Sequence, residues 1–452
     1  MTAIKPPYRV PSMEEITALP WNGFTAASSF SGCGGSSLGY RMAGFRVGWA
    51  SEFIPAAQDT YRANAAPYTI LDTRDIREVT AAEVLAALGL AVGELDLWDG
   101  SPPCAAFSTA GKGAAGWNQV KAYSDTRQRV DDLFFEFARL LKGIQPRTFI
   151  AENVSGLIKG QAKGYFKLIL KELKAAGYRV EARLLNAARL GVPQARQRMI
   201  FVGVREDLGL APAYPKPLPY VYTVRDALPW ILAQGDNGAF GAGGMRAPDV
   251  PSPTIGASPS TGNGRFPASK VISGPRVFHD TSGERSQGDI TDKPAPTITV
   301  CRGRGDTVIA PYHFHMVDPA QQQETAVDPE TGANIHIGRY AIGEEWLKLR
   351  PGDKSQRYKN LDRPDPDKPF PTVLVKGGDV SAASVTHWAE ARKLNLQELR
   401  AIGGFPPDFT LTGTYEQRWE RIGRAVPPVM MSHIAAAIRD EVLIPLREAG
   451  KI

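Results

Sequence analysis

Short apolar runs alternate with amphipathic stretches from Phe24 to about Arg205, the pattern that βαβ units impose when buried strands are joined by half-buried helices. Strands are predicted at Phe24–Ser29, Gly44–Ala50, Leu95–Trp98, Thr148–Ala151, Val180–Leu185 and Met199–Val204. Helices are predicted at Ser36–Met42, Ile54–Ala63, Ala81–Leu88, Asp131–Leu141 and Gly164–Ala176; the last two carry apolar residues at three- and four-residue spacing. After Pro212 the period is lost, and a Gly-, Pro- and Ser-rich texture runs to about Trp388. Within it Asp249–Ile255, Asp292–Ile298 and Asp367–Val373 share an Asp-x-Pro-x-Pro-Thr-(Ile/Val) pattern. Prolines hold such a segment extended and the β-branched residue continues it, so each reads as a turn entering a strand. Their unequal spacing excludes a solenoid. Helical pattern returns from Leu394 to Ile444, and the run Val429–Ile438 is apolar enough to need burial against the first α/β layer. The expected organisation is a first domain at 20–225, a smaller irregular β-rich domain at 226–393, and C-terminal helices at 394–452 that complete the first.

Composition narrows the class. With 452 residues, 43% hydrophobic and 22% charged, the chain can bury two cores, which excludes a disordered or fibrous protein. Three scattered cysteines, Cys33, Cys104 and Cys301, form neither a disulfide framework nor a zinc site, which points to a reducing, cytoplasmic setting and no metal. His313 and His315 would face one side of a strand but lack a third ligand at suitable spacing. No run approaches 18 apolar residues and Met1–Pro20 has no apolar core, so neither export nor a membrane span is expected. The net charge of +6 favours a polyanionic partner. Arg302-Gly303-Arg304-Gly305 would let backbone and cation approach a phosphate chain together, a solvated loop being the alternative.

Candidate chemistry sits at predicted strand ends. Cys104 follows Pro102-Pro103 after the apolar run at 95–98, which presents a thiol where open α/β sheets bind ligands. Alone it reads more readily as a small buried hydrophobe. Phe30-Ser31-Gly32-Cys33-Gly34-Gly35 follows the first strand and opens a helix, so glycines permit close backbone approach to a ligand at the helix N-terminus. Glu52, about twenty residues on, is placed to take both hydroxyls of a ribose, and Asp75 to take an adenine amino group; a cap or a solvated turn is the alternative for each.

These motifs occur in one order with Ala151-Glu152-Asn153-Val154, Gln194-Ala195-Arg196-Gln197-Arg198, Leu399–Pro406 and Ile422-Gly423-Arg424-Ala425-Val426-Pro427-Pro428. In that order the chain resembles the cytosine-5 DNA methyltransferase family over nearly its whole length apart from the variable middle. The resemblance implies a Rossmann-like, S-adenosylmethionine-dependent methyltransferase fold with a mostly parallel sheet and a target-recognition domain at 226–393. It also implies a catalytic group of Cys104, Glu152, Arg196 and Arg198, with Cys104 adding to carbon 6 of a flipped cytosine and Glu152 engaging ring nitrogen 3. The implied cofactor set is Phe30, Gly32, Gly34, Gly35, Glu52, Phe53, Asp75, Ile76, Pro103, Arg424, Ala425 and Val426. Contacts to double-stranded DNA are expected from Gln194, Ser108, Arg302, Arg304 and Lys376, with Gly111–Arg127 as a lid and the protein acting as a monomer.

Two positions depart from the family. Ala105 follows Pro-Pro-Cys where glutamine is usual, and Arg424 stands where the family has asparagine beside the methionine part of the donor. A cation beside a sulfonium calls for an intervening carboxylate. Either Arg424 grips the donor's own carboxylate, or it points to solvent or phosphate, or the carboxylate is the extra one of carboxy-S-adenosylmethionine, in which case the product is 5-carboxymethylcytosine. A tRNA-acting branch shares the motifs around Cys104 and Glu152; an inactive DNA-binding protein would be expected to have lost one of them.

Overall fold

The computed structural model describes residues 4–103, 120–122, 127–129, 133–158, 162–229, 276–281, 284–289, 307–308 and 326–452. They divide into two compact units, one of residues 1–229 with 326–452 and the other of residues 230–325.

The first unit is built on strands β1 (Thr25–Ser29), β2 (Arg46–Ser51), β3 (Ile70–Asp72), β4 (Leu97–Gly100), β7 (Thr148–Val154), β8 (Tyr178–Asn186) and β9 (Gln197–Arg205). β5 (Val120–Ala122) and β6 (Arg127–Arg129) pair apart from these as a two-stranded ribbon. The sheet order is β3-β2-β1-β4-β7-β9-β8. Every pair from β3 to β7 is parallel, while β9 runs antiparallel to both its neighbours. The six predicted strands are all present; the edge strand β3 was not predicted. This is the expected α/β, Rossmann-like architecture.

Strand alternation sends side chains to two cores. On one face Trp49, Trp98, Phe149 and Phe201 pack with Phe134 and Phe137 of the helix Leu133–Ile144 and with Ile169 and Leu173 of the helix Ala162–Ala175. On the other face Val47, Leu97, Ile150 and Val202 meet Tyr40 of the helix Gly35–Met42 and Met430, Met431 and Ile434 of the helix Pro428–Ile438. The apolar run near the C-terminus is thus buried on the sheet that starts at residue 25.

Residues 326–393 differ from the expected division, because they belong to the first unit. Their backbone is tied into it: Phe370 N donates to Pro193 O at 2.8 Å, Ala195 N to Phe370 O at 2.8 Å, and Val224 N to Lys368 O at 3.0 Å. Leu396 N donates to Asp328 Oδ2 at 2.8 Å, and Trp419 Nε1 to Leu374 O at 2.9 Å. The third copy of the proline pattern supplies this pairing, with Phe370 bridged in parallel to Gln194. The first two copies lie outside the described residues. In the second unit β10 (Arg276–Thr281) pairs antiparallel with β11 (Glu284–Asp289) and with β12 (Thr307–Val308).

No described helix is long and apolar enough to cross a membrane. Among the described residues no group of three or more His, Cys, Asp or Glu side chains is placed to hold a metal ion.

Candidate active site

The glycine loop leaves the carboxyl end of β1 in a conformation few residues adopt. Phe30, Gly32 and Gly34 have φ of 53, 58 and 94°, and a left-handed non-glycine residue persists only when its surroundings impose it. Here Ser31 N donates to Ser51 O of β2, and Gly34 N closes the turn on Ser31 O, both at 2.9 Å. A Cβ on Gly35 would lie 2.4 Å from Val426 O, so the loop rests directly on the last cofactor motif and brings Gly35 to Ala425 and Val426. A Cβ on Gly32 would meet nothing within 4 Å, which leaves that side of the loop open.

Glu52 stands beneath this opening. It is buried; Gly32 N donates to Oε2 and Ile54 N to Oε1, each at 2.7 Å. Burial raises its proton affinity, and those two N–H groups, Arg421 and Arg424 oppose the rise. Each carboxylate oxygen keeps a lone pair beyond its backbone bond, which suits a diol donor such as a ribose. Phe53 is half-buried beside it. Asp75 caps the 3-10 turn Ile76–Glu78, accepting from Arg77 N at 3.1 Å and pairing with Arg77 Nη1 at 2.9 Å. Its carboxylate therefore has the capping partners that compete with an adenine. Ile76 itself is core.

The Pro-Pro turn follows the end of β4, beside the end of β7. Asn153 Nδ2 donates to Pro102 O at 3.3 Å and fixes the turn through half-buried Pro103. Cys104, Ser108, Arg302, Arg304, His313 and His315 lie outside the described residues, as does the greater part of the expected lid. Cys33 is buried with Sγ 3.6 Å from Arg421 O, and burial pushes its thiol up to about 12, so it stays protonated and unreactive at neutral pH.

Glu152 is opposite Ile200, and Arg198 lies two residues along β9 on the same face. Arg198 Nε contacts Glu152 Oε1 at 2.6 Å, with both side chains almost wholly buried. Burial raises the proton affinity of Glu152; Arg198, Arg196 and the Ser101 hydroxyl pull it back. The pair sets a buried carboxyl, its proton affinity above that of an ordinary carboxylate, beside a cation.

Arg196 and Gln194 are placed otherwise than expected. The Arg196 guanidinium is 1% exposed and donates to backbone carbonyls: Nη1 to Val373 at 3.3 Å, Nη2 to Gly423 at 2.8 Å and to Arg424 at 3.3 Å. It holds the last cofactor motif against β9 rather than facing a reacting base. Gln194 is equally buried, with Nε2 3.4 Å from Ile402 O, because the 370–374 segment covers it; that burial is unlike a DNA contact. Among the described residues Arg196 Nε and Gln194 Oε1 find no partner. Lys376 is exposed on the 3-10 turn Val375–Gly378.

Arg424 ends the helix Tyr415–Arg424. Its Nε and Nη2 reach Glu420 Oε1, one turn back, at 2.7 and 2.6 Å. A carboxylate from the protein itself thus neutralises the cation that departs from the family pattern.

One group escaped the sequence reading. Asp99 is 1% exposed; Tyr40 hydroxyl donates to its Oδ1 at 2.6 Å and Ser28 hydroxyl to Oδ2 at 2.7 Å. Burial pushes it up to about 7 against those two hydrogen bonds, and Glu152 adds to the rise. The available signal was an acid closing an otherwise apolar strand run.

Against known proteins, the family described as C-5 cytosine-specific DNA methylase matches residues 24–230 and 317–440. Type II methyltransferase M.NgoPII of Neisseria gonorrhoeae is 34% identical over 204 residues, covering 45% of this chain and 54% of that protein, so the match spans about half of that relative. Type II methyltransferase M1.HphI of Haemophilus parahaemolyticus is 28% identical over 414 residues, 90% of this chain and 85% of that one. The crystal structure of a prophage-encoded protein of E. coli, described as a DNA modification methyltransferase, has a TM-score of 0.57 at 20% identity, covering 93% of this chain and all of that one. That last likeness is one of fold.

Proposed function

Because the chain belongs to the C-5 cytosine-specific DNA methylase family, we propose that it transfers a methyl group from S-adenosylmethionine to carbon 5 of a cytosine in double-stranded DNA, a modification of the type II kind. The observation that carries this reading is the convergence of three groups at one sheet edge: the glycine loop resting on Val426, the Pro-Pro turn held by Asn153, and the buried Glu152–Arg198 pair.

The residues present fit the donor, since the loop is open at Gly32 and Glu52 has spare acceptor capacity for ribose hydroxyls. When bound, S-adenosylmethionine supplies an electrophilic methyl. The chain's own residues do the rest. The thiolate of Cys104 gives its electron pair to carbon 6, and the 5,6 double-bond electrons become available at carbon 5. Glu152, kept protonable by burial, holds a proton at ring nitrogen 3 and draws charge away from carbon 6 as sulfur attacks. Arg198 fixes that carboxyl in place. After transfer, a base such as a solvent water takes the carbon 5 proton, the C–H electron pair re-forms the 5,6 double bond, and the Cys104 thiolate leaves carbon 6. The cytosine ring must be reached from both faces, so it leaves the helix stack for the pocket.

Arg424 supports a second reading, transfer of a carboxymethyl group from carboxy-S-adenosylmethionine; Glu420 would then have to yield its partner to the donor. Methyl transfer needs no such exchange. Incubation with duplex DNA and each donor, followed by mass spectrometry of the nucleosides, separates the two. We expect 5-methylcytosine, and a covalent complex with 5-fluorocytosine DNA that Cys104→Ala abolishes. 5-Carboxymethylcytosine lost in Arg424→Asn would establish the second reading. Label entering tRNA but not DNA would overturn the substrate, and absence of both product and adduct would overturn the activity.

A further inference from the structure

We propose that the hairpin formed by residues 350–363 grips the phosphates of duplex DNA through Arg357 and Lys359. The inference rests on the activity proposed above for its choice of polymer, and deepens it. Backbone pairing closes the hairpin: Gly352 N donates to Arg363 O at 2.7 Å, Arg363 N to Asp353 O at 3.0 Å, and Ser355 N to Leu361 O at 3.0 Å. Leu361 N on Tyr358 O, at 2.9 Å, tightens the tip. Buried Ser355 holds it from below, its hydroxyl oxygen accepting from Arg357 N at 3.1 Å and from Tyr358 N at 2.9 Å.

The cations of this segment fall into two sets. Those at the base are engaged within the protein: Arg363 lies 3.9 Å over the Trp346 ring and donates to Leu349 O and Trp388 O, and Lys354 pairs with Asp362 at 3.1 Å. Those at the tip face outward. Arg357 and Lys359 are exposed, and among the described residues neither forms an ion pair or a side-chain hydrogen bond. The run Ser355-Gln356-Arg357-Tyr358-Lys359-Asn360-Leu361 contains no acid, and Glu345, the carboxylate that feels Arg357, already accepts from Ser355 Oγ and pairs with Lys348. Two like charges held close on an ordered turn with no anion between them suit a chain of phosphates. The order already present in the tip lowers what binding must fix.

The hairpin also lies near the candidate active site along the chain. At most about 25 Å of extended chain separates Arg363 from Phe370. Phe370 is bridged to Gln194, just ahead of the strand that carries Arg198. One turn of duplex is about 34 Å long. A duplex presenting a cytosine to Glu152 is therefore long enough to lie along the hairpin as well. Such contacts position the duplex and carry no sequence information.

The test is Arg357→Ala with Lys359→Ala in the full chain, titrated against a fluorescein-labelled duplex of mixed sequence, about 30 base pairs long, between 50 and 200 mM salt. The slope of log K against log salt is expected to be shallower than wild type by about 1.8, the value for two lost phosphate contacts. The wild-type advantage in affinity then shrinks about twelvefold across that range. Lys359→Ala alone takes about half of the slope change and decides the matter if the double variant does not fold. The charge-preserving exchange Arg357→Lys with Lys359→Arg is expected to keep the wild-type slope. In turnover, KM for DNA rises in the double-alanine variant while kcat is kept. An unchanged slope overturns the proposal, as does a slope lost equally in the charge-preserving exchange or a fall in kcat at unchanged KM. A slope change seen with tRNA but not with the duplex overturns it too. If the wild type binds duplex but modifies no cytosine, the activity reading fails, and the salt slopes still decide the hairpin.

Discussion

Arg198→Met removes the cation from a buried pair while keeping its volume, and its cost should depend on pH. Glu152 has a folded-state pKa above its ordinary value of 4.5 because burial outweighs its cationic partners. A carboxyl with a raised folded value contributes stability that is fully present below the unfolded pKa and lost as pH rises through the folded one. Without Arg198 that folded value rises further, so the loss runs over a wider pH range. Where the pH is low enough for Glu152 to be protonated in the variant, the cost is a hydrogen bond and some packing, about 1–2 kcal/mol. At pH 8.5 the carboxylate is either stranded as a buried anion or held protonated against the solvent, and the cost is about 3–5 kcal/mol. Between these limits each pH unit adds at most about 1.4 kcal/mol. Urea denaturation of wild type and variant at pH 5 and pH 8.5, followed by tryptophan fluorescence, measures the difference. A destabilisation equal at pH 5 and pH 8.5 would refute the argument, because the pair would then contribute only shape.

Two further outcomes follow from particular contacts. Gly35→Ala places a Cβ 2.4 Å from Val426 O, so the loop must move; we expect about tenfold weaker binding of S-adenosylmethionine by calorimetry, with the melting temperature lowered by a few degrees. Lys393 is buried with its ammonium on Ala382 O and Ser384 Oγ, and burial depresses it to about 7; the stability gained at high pH should be lost as pH falls through 7, so wild type should lose ground against Lys393→Met between pH 9 and pH 6 in paired melts.

Periodicity made the central sheet legible because its strands are buried runs and its helices have one apolar face. The edge strand β3 escaped because three partly exposed residues carry no period. Motif order singled out Glu152, Arg198, the glycine loop and Glu52, and the fold sets them at or next to the ends of their own strands. Arg196 and Gln194 were misplaced because what covers them, the segment around Phe370 and the Gly423–Arg424 carbonyls, is distant in sequence and pairs through backbone. Asp99 was missed because its partners lie on two other elements, and an acid in a strand end reads locally as an ordinary turn residue. Residues 326–393 group with the first unit for a related reason: irregular, proline-rich texture marks absence of helices, not independence from a neighbouring core.

The contact between Gly35 and Val426 also has a temporal meaning. The turn that would receive the donor is written near the start of the message, and the surface that shapes it is written near the end. A ribosome delivers most of the chain before the two can meet, and closing so long a loop is slow. The Gly35 turn therefore reaches its final support only once residue 426 has been made.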